Sequence, residues 1–76
     1  MNGWIDQIYE NNQYRIATFG SGEIYYVQST PDTIFTLGMN VTFTPSANPC
    51  GFATDVAWDG TYSKPGANGL LCGVEI

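Results

Sequence analysis

Apolar and polar residues alternate most regularly over residues 39–44, where Met39, Val41 and Phe43 share one parity and Asn40, Thr42 and Thr44 the other. A period of two predicts a half-buried strand. Residues 4–9 (WIDQIY), 14–19 (YRIATF), 23–28 (EIYYVQ) and 52–58 (FATDVAW) are short and rich in aromatic and β-branched side chains, so four more strands are expected. In the last of them Phe52, Thr54, Val56 and Trp58 fall on one parity.

Turn chemistry separates these runs. Glu10-Asn11-Asn12 stands between the first two, and asparagine tolerates left-handed backbone. Gly20-Ser21-Gly22 joins the second and third runs into a hairpin over residues 13–28, around which the rest of the chain is arranged. Pro31 interrupts the pattern, and Asp32-Thr33 offers a cap for a single helical or 3₁₀ turn. That turn would lay Ile34, Phe35 and Leu37 across one open end of a barrel. Residues 45–51, with Pro45, Pro49 and Gly51, form the loop before the fifth strand.

Beyond Trp58 the composition turns to Gly, Asn, Ser and Pro until Gly69, and then Leu70-Leu71-Cys72-Gly73-Val74-Glu75-Ile76 is apolar again. An all-β, small five-stranded Greek-key barrel over residues 1–58 is therefore expected, with a C-terminal extension over 59–76. Its apolar end should pack on the barrel or on a partner chain, because apolar side chains left in water are disfavoured. A homo-oligomer formed through Leu70 to Ile76 is one form this would take.

Length and charge narrow the function. Seventy-six residues make one domain near the lower size limit for a single core. Two cations, Arg15 and Lys64, face seven acidic residues, for a net charge of −5. That balance repels phosphate backbones and anionic membranes and suits a basic protein patch. The N-terminus shows no basic segment leading into an apolar run and a cleavage site, and no apolar stretch approaches membrane-spanning length, so a cytoplasmic protein is expected. In that compartment Cys50 and Cys72 read as two idle thiols rather than a bridge.

Catalytic chemistry finds little to build on. The chain has no histidine, no glycine-rich phosphate loop between a strand and a helix, and too few cysteines for a metal set, so neither enzyme activity nor a metal or cofactor is expected. Asp55 with Asp59, and Asp6 with Glu10, read as solvated surface carboxylates.

The order of the strands and several local sequences resemble the cold-shock domain, a member of the OB-fold group. Gly3-Trp4-Ile5 resembles the family's opening Gly-x-Val, and Glu23-Ile24-Tyr25-Tyr26-Val27 its second ribonucleoprotein motif. Residues 37–43 resemble the Gly-x-x-Val-x-Phe of strand four, and Ala53-Thr54-Asp55-Val56 the closing Ala-x-Asn-Val. The resemblance covers residues 3–58. It implies single-stranded RNA or DNA binding by bases stacked on exposed aromatics while lysines meet phosphates.

Carried over by position, Tyr14 replaces the first Phe of the first motif and Tyr25 the Phe of the second. The family's strand-one Trp falls on Gln7, the second Phe on Ile16, the His on Val27 and the next Phe on Gln28. The lysine before that Trp becomes Asp6, the Lys-Gly before the first motif becomes Asn12-Gln13, and Arg15 adds a cation. Adjacent strand residues point to opposite sides. With Ile24 and Tyr26 filling the barrel, Tyr25 and Val27 face outward beside Tyr14 and Ile16, within a rim of Asp6, Glu10 and Glu23.

The expected working surface is thus Tyr14, Arg15, Ile16, Tyr25 and Val27, with Phe35 nearby. Aromatic and aliphatic apart from Arg15, it suits a protein interface better than a phosphate track. The reading from sequence is a non-catalytic binding module acting through protein–protein contact, of the size and charge of a small phage or mobile-element inhibitor or adaptor. Weak single-stranded RNA or DNA binding through the surviving aromatic face is the alternative.

Overall fold

A computed structural model describes residues 1–20, 22–47, 50–63, 70–72 and 74–75. Ser21, Pro49, residues 64–69 of the Gly-rich stretch, Gly73 and Ile76, all used in the reading above, lie outside the described residues.

The chain is all-β. Strands β1 (Asn2–Ile8), β2 (Gln13–Thr18), β3 (Ile24–Gln28), β4 (Met39–Pro45) and β5 (Ala53–Tyr62) form one antiparallel sheet in the order β3-β2-β1-β4-β5. The sheet curls until its two edges touch. Tyr26 of β3 bridges Phe52 in parallel sense, and the Tyr26 N–H donates to the Gly51 carbonyl at 2.8 Å. A five-stranded, partly open Greek-key barrel of OB-like topology results.

Local chemistry accounts for the corners. Asn11 and Asn12 both take φ near 60°, the two left-handed positions that a tight β1–β2 hairpin needs. At Gly3 a side chain would collide with the Ala17 carbonyl and lie 2.7 Å from Ile16 Cγ2, so only glycine lets β1 lie this close to β2. The segment after Pro31 forms a turn closed by Thr33 N–H to the Thr30 carbonyl, and no helix occurs among the described residues. Phe35 seals the core from this segment, whereas Ile34 and Leu37 stay exposed instead of lying across the barrel end.

The core comprises Ile5, Tyr14, Ile16, Val27, Phe35, Val41, Phe43 and Ala53, with Tyr25, Met39 and Val56 packed against it. Met39, Val41 and Phe43 thus do share the inner face. In β5 the expected single parity is broken. Asp55 takes φ 55° at a register shift against β4, so Ala53 and Val56 turn toward the core and Thr54 away from it, while Trp58, opposite Val41, stays 46% exposed. The strand also runs past Trp58, because a second shift keeps Tyr62 paired with Met39.

Beyond β5, β6 (Leu70–Leu71) and β7 (Val74–Glu75) form a small antiparallel hairpin, with β6 beside β3. The expectation of idle thiols is overturned here: Cys50 and Cys72 form a disulfide. The fold brings the β4–β5 loop and the terminal hairpin together over β3, a proximity that 22 residues of sequence separation does not reveal. Ile24 points to the outer side of β3 yet is 1% exposed, and it lines a small cavity with Cys50 and Cys72. Among the described residues no helix is long and apolar enough to cross a membrane.

Candidate functional site

The hairpin presents the opposite side chains to those expected. Tyr14 pairs with Val27 and Ile16 with Tyr25 across β2 and β3, and this set faces the core. Tyr14, Ile16, Val27 and Phe35 are all buried, and Tyr25 is half-buried. Tyr14 meets Phe35 edge-on at 5.2 Å, and its hydroxyl accepts a 3.3 Å hydrogen bond from the Phe35 N–H. Tyr25 packs on Phe43 and donates to the Glu23 carboxylate at 2.7 Å; that bond, with burial, pushes its phenol up to about 12. Of the expected surface, these five serve packing.

Arg15 faces the outer side, and it is not free. Its Nε and Nη2 donate to the two oxygens of Asp6, each at 2.8 Å, and the Asp6 side chain is completely buried. Asp6 is therefore a buried partner and not part of an acidic rim. It occupies the extra position of a bulge, since Ile5 pairs with Ile16 and the next pair is Gln7 with Arg15. A bulge re-aims side chains, and here it turns a carboxylate onto the guanidinium. The two-pronged bond raises the already high Arg15 pKa further.

Around this pair lies an outer aromatic shelf. Tyr26 stands opposite Arg15 across the strands, and Tyr9 packs on Tyr26 with centroids 6.0 Å apart. Tyr9 donates to Gln7 Oε1 at 2.5 Å, and burial together with Tyr26 raises its pKa. Phe52, 47% exposed, extends the shelf across the strand junction. Gln13, Tyr26, Val27, Gln28 and Phe52 enclose a shallow cavity of about 210 Å³. Tyr9, Tyr26 and Phe52 were missed from sequence, although the outward parity of Arg15 marks Tyr26 as its cross-strand neighbour once the hairpin register is set.

A wider opening lies around the corner, where β3 and β5 diverge past their single bridge. This seam, of about 310 Å³, has Val27, Phe35, Ala53 and Val56 on its floor and Ser29, Thr30, Thr33, Thr54 and Asp55 on its rim. Val27 and Gln28 line both cavities, so shelf and seam adjoin. Among the described residues no group of three or more His, Cys, Asp or Glu is placed to hold a metal ion.

Neither protein-family models, nor curated proteins, nor solved structures yield a match to this chain.

Proposed function

We propose that this chain is a non-catalytic binding module that engages a protein partner through the outer shelf of Tyr9, Tyr26 and Phe52. One observation carries the reading. The hairpin's single cation, Arg15, spends both of its prongs on buried Asp6, leaving a partly exposed aromatic surface without a charge to offer a phosphate. Tyrosine and phenylalanine are enriched in the buried centres of protein interfaces, and a chain of net charge −5 favours a basic partner.

Single-stranded nucleic acid is the second reading, favoured by aromatic rings on the outer face of an OB-like barrel. It requires Tyr9, Tyr26 and Phe52 as the stacking platform, because Tyr14 and Tyr25 are committed to the core. Membership of the cold-shock family belongs to this reading. The disulfide bears on location: such bonds persist in oxidising surroundings and are rare in the cytoplasm, which favours an oxidising compartment.

Two measurements on the 76-residue protein separate the readings. Protein capture from a lysate of the source cells should yield a partner that Tyr26→Ala and Phe52→Ala both lose. Fluorescence titration with mixed single-stranded oligonucleotides at low salt should give no saturable signal; micromolar binding lost in Tyr26→Ala would replace the first reading by the second. Self-association through residues 70–76 would show as a concentration-dependent mass in sedimentation.

A further inference from the structure

Among the described residues a single bridge, Tyr26 to Phe52, closes the sheet. Because the Tyr26 N–H bonds to the Gly51 carbonyl, the backbone of Tyr26 points at β5 and not at β2. Hydrogen-bonding direction alternates along an antiparallel strand, so the N–H and C=O of Gln28, two residues on, point the same way. A parallel ladder would continue by joining Gln28 to Ala53 and Asp55. It does not, because the left-handed turn at Asp55 carries β5 away, and the Tyr26–Phe52 bridge stands isolated. The Gln28 backbone groups on the β3 bank therefore face the seam, with no ladder to β5 across it.

Two further features give the seam a preference. Its floor is apolar and belongs to the core, so a side chain entering it would continue the packing of Val27 and Phe35. Its rim carries hydroxyls and a single charge, the exposed carboxylate of Asp55, with no Lys or Arg among the lining residues. Strand edges take up extended peptides by main-chain hydrogen bonds, and alternate side chains then supply specificity. A second copy of this chain would bring Asp55 and a net charge of −5 against the same charges. A cationic strand meets complementary charge instead.

We propose that the open seam between β3 and β5 takes an extended, Lys- or Arg-bearing segment of a partner protein, which adds as a strand between Gln28 and Asp55. The proposal rests on the protein-interaction reading and adds to it a second surface and the chemistry of the partner. The segment bonds to the facing backbone groups, places one apolar side chain over Val27 and Phe35, and sets its cation beside Asp55.

The test is a titration of the isotope-labelled 76-residue protein, followed by amide NMR, with the peptide acetyl-Lys-Val-Thr-Val-Lys-Val-amide. A counterpart with Glu for Lys, and a version N-methylated at alternate residues, are the controls. The Gln28 and Asp55 amides should shift together and saturably, the Glu peptide should bind about tenfold more weakly, and N-methylation should abolish the shifts. Asp55→Asn keeps a residue that tolerates left-handed backbone, and it should narrow the Lys-to-Glu difference while leaving the fold intact. Equal binding of the Lys and Glu peptides, undiminished binding of the N-methylated one, or no shift at either amide at about 1 mM peptide would overturn the proposal. So would a mixed single-stranded oligonucleotide that moves the same two amides. Shifts confined to Tyr9, Tyr26 and Phe52 would reject the seam and leave the shelf as the protein interface.

Discussion

Trp58 and Tyr62 stand four residues apart on β5, yet their rings meet at 5.4 Å. Along a regular strand four residues span about 13 Å. The partners of these residues on β4, Val41 and Met39, are only two apart, so Asp59 and Gly60 are looped out of the register. Internal bonds hold the loop. The Asp59 carboxylate accepts from the N–H and hydroxyl of Thr61 at 2.9 and 2.6 Å, and the Trp58 Nε1–H donates to the Thr61 carbonyl at 2.9 Å.

Gly60 sits at φ 95° with nothing near its missing side chain, so Gly60→Ala tests backbone strain alone. It should destabilise the protein by about 1–2 kcal/mol. Urea denaturation would give that value, and loss of the near-ultraviolet signal of the Trp58–Tyr62 pair would locate the change. An unchanged midpoint would mean that the bulge relaxes without cost.

Removing the Arg15 side chain strands the Asp6 carboxylate in the interior. Arg15→Met should cost about 2–4 kcal/mol, below the upper range for buried pairs because the guanidinium is partly solvated. Adding Asp6→Leu should recover much of that loss, since an apolar pair has no unpaired charge. A double-mutant cycle in denaturant measures the coupling. If the double variant were no better than Arg15→Met, the pair would not be the source of the loss.

The Tyr25–Glu23 bond predicts an alkaline limit. The unfolded phenol loses its proton near 10, whereas the folded one keeps it up to about 12. Between those values the native state holds the extra proton, so its advantage is complete below pH 10 and is lost as pH rises through 12. Tyr25→Phe should flatten this part of the stability–pH curve, and the absorbance titration at alkaline pH should lose a late-titrating tyrosine in that variant.

Reduction of Cys50–Cys72, or replacement of both residues by serine, should lower stability by about 3 kcal/mol for a loop of this size. Hydrogen exchange should then accelerate first in the terminal hairpin and at Ile24, which lies beside the bridge. Uniform acceleration across the sheet would show that the bond stabilises the barrel and not the extension.

How much of this could be read beforehand differs from strand to strand. In β4 only one parity is apolar, so Met39, Val41 and Phe43 declare the inner face. In β3, Ile24-Tyr25-Tyr26-Val27 offers an apolar pair on either parity, and the wrong pair was expected inside. Arg15 held the answer: its charge sends β2's odd parity outward, and the register of Tyr14 with Val27 carries that choice across. Ile24 hides the signal further, being outward yet buried. The bulges at Asp6 and Asp55 leave no periodic trace, and they set both the Arg15 pair and the seam.

The disulfide also makes the chain a ring with a tail. Every residue of β5 lies between Cys50 and Cys72, inside the covalent loop, whereas β1 to β4 lie outside it. Tension applied at the two ends would pass through the bridge and bypass β5. Under oxidising conditions the stretched chain should be shorter by about 70 Å than under reducing ones, from 22 residues at about 3.4 Å each less the 5.8 Å that the bridge itself spans. The seam-forming strand is thus the one part of the sheet that a pull on the termini cannot draw straight.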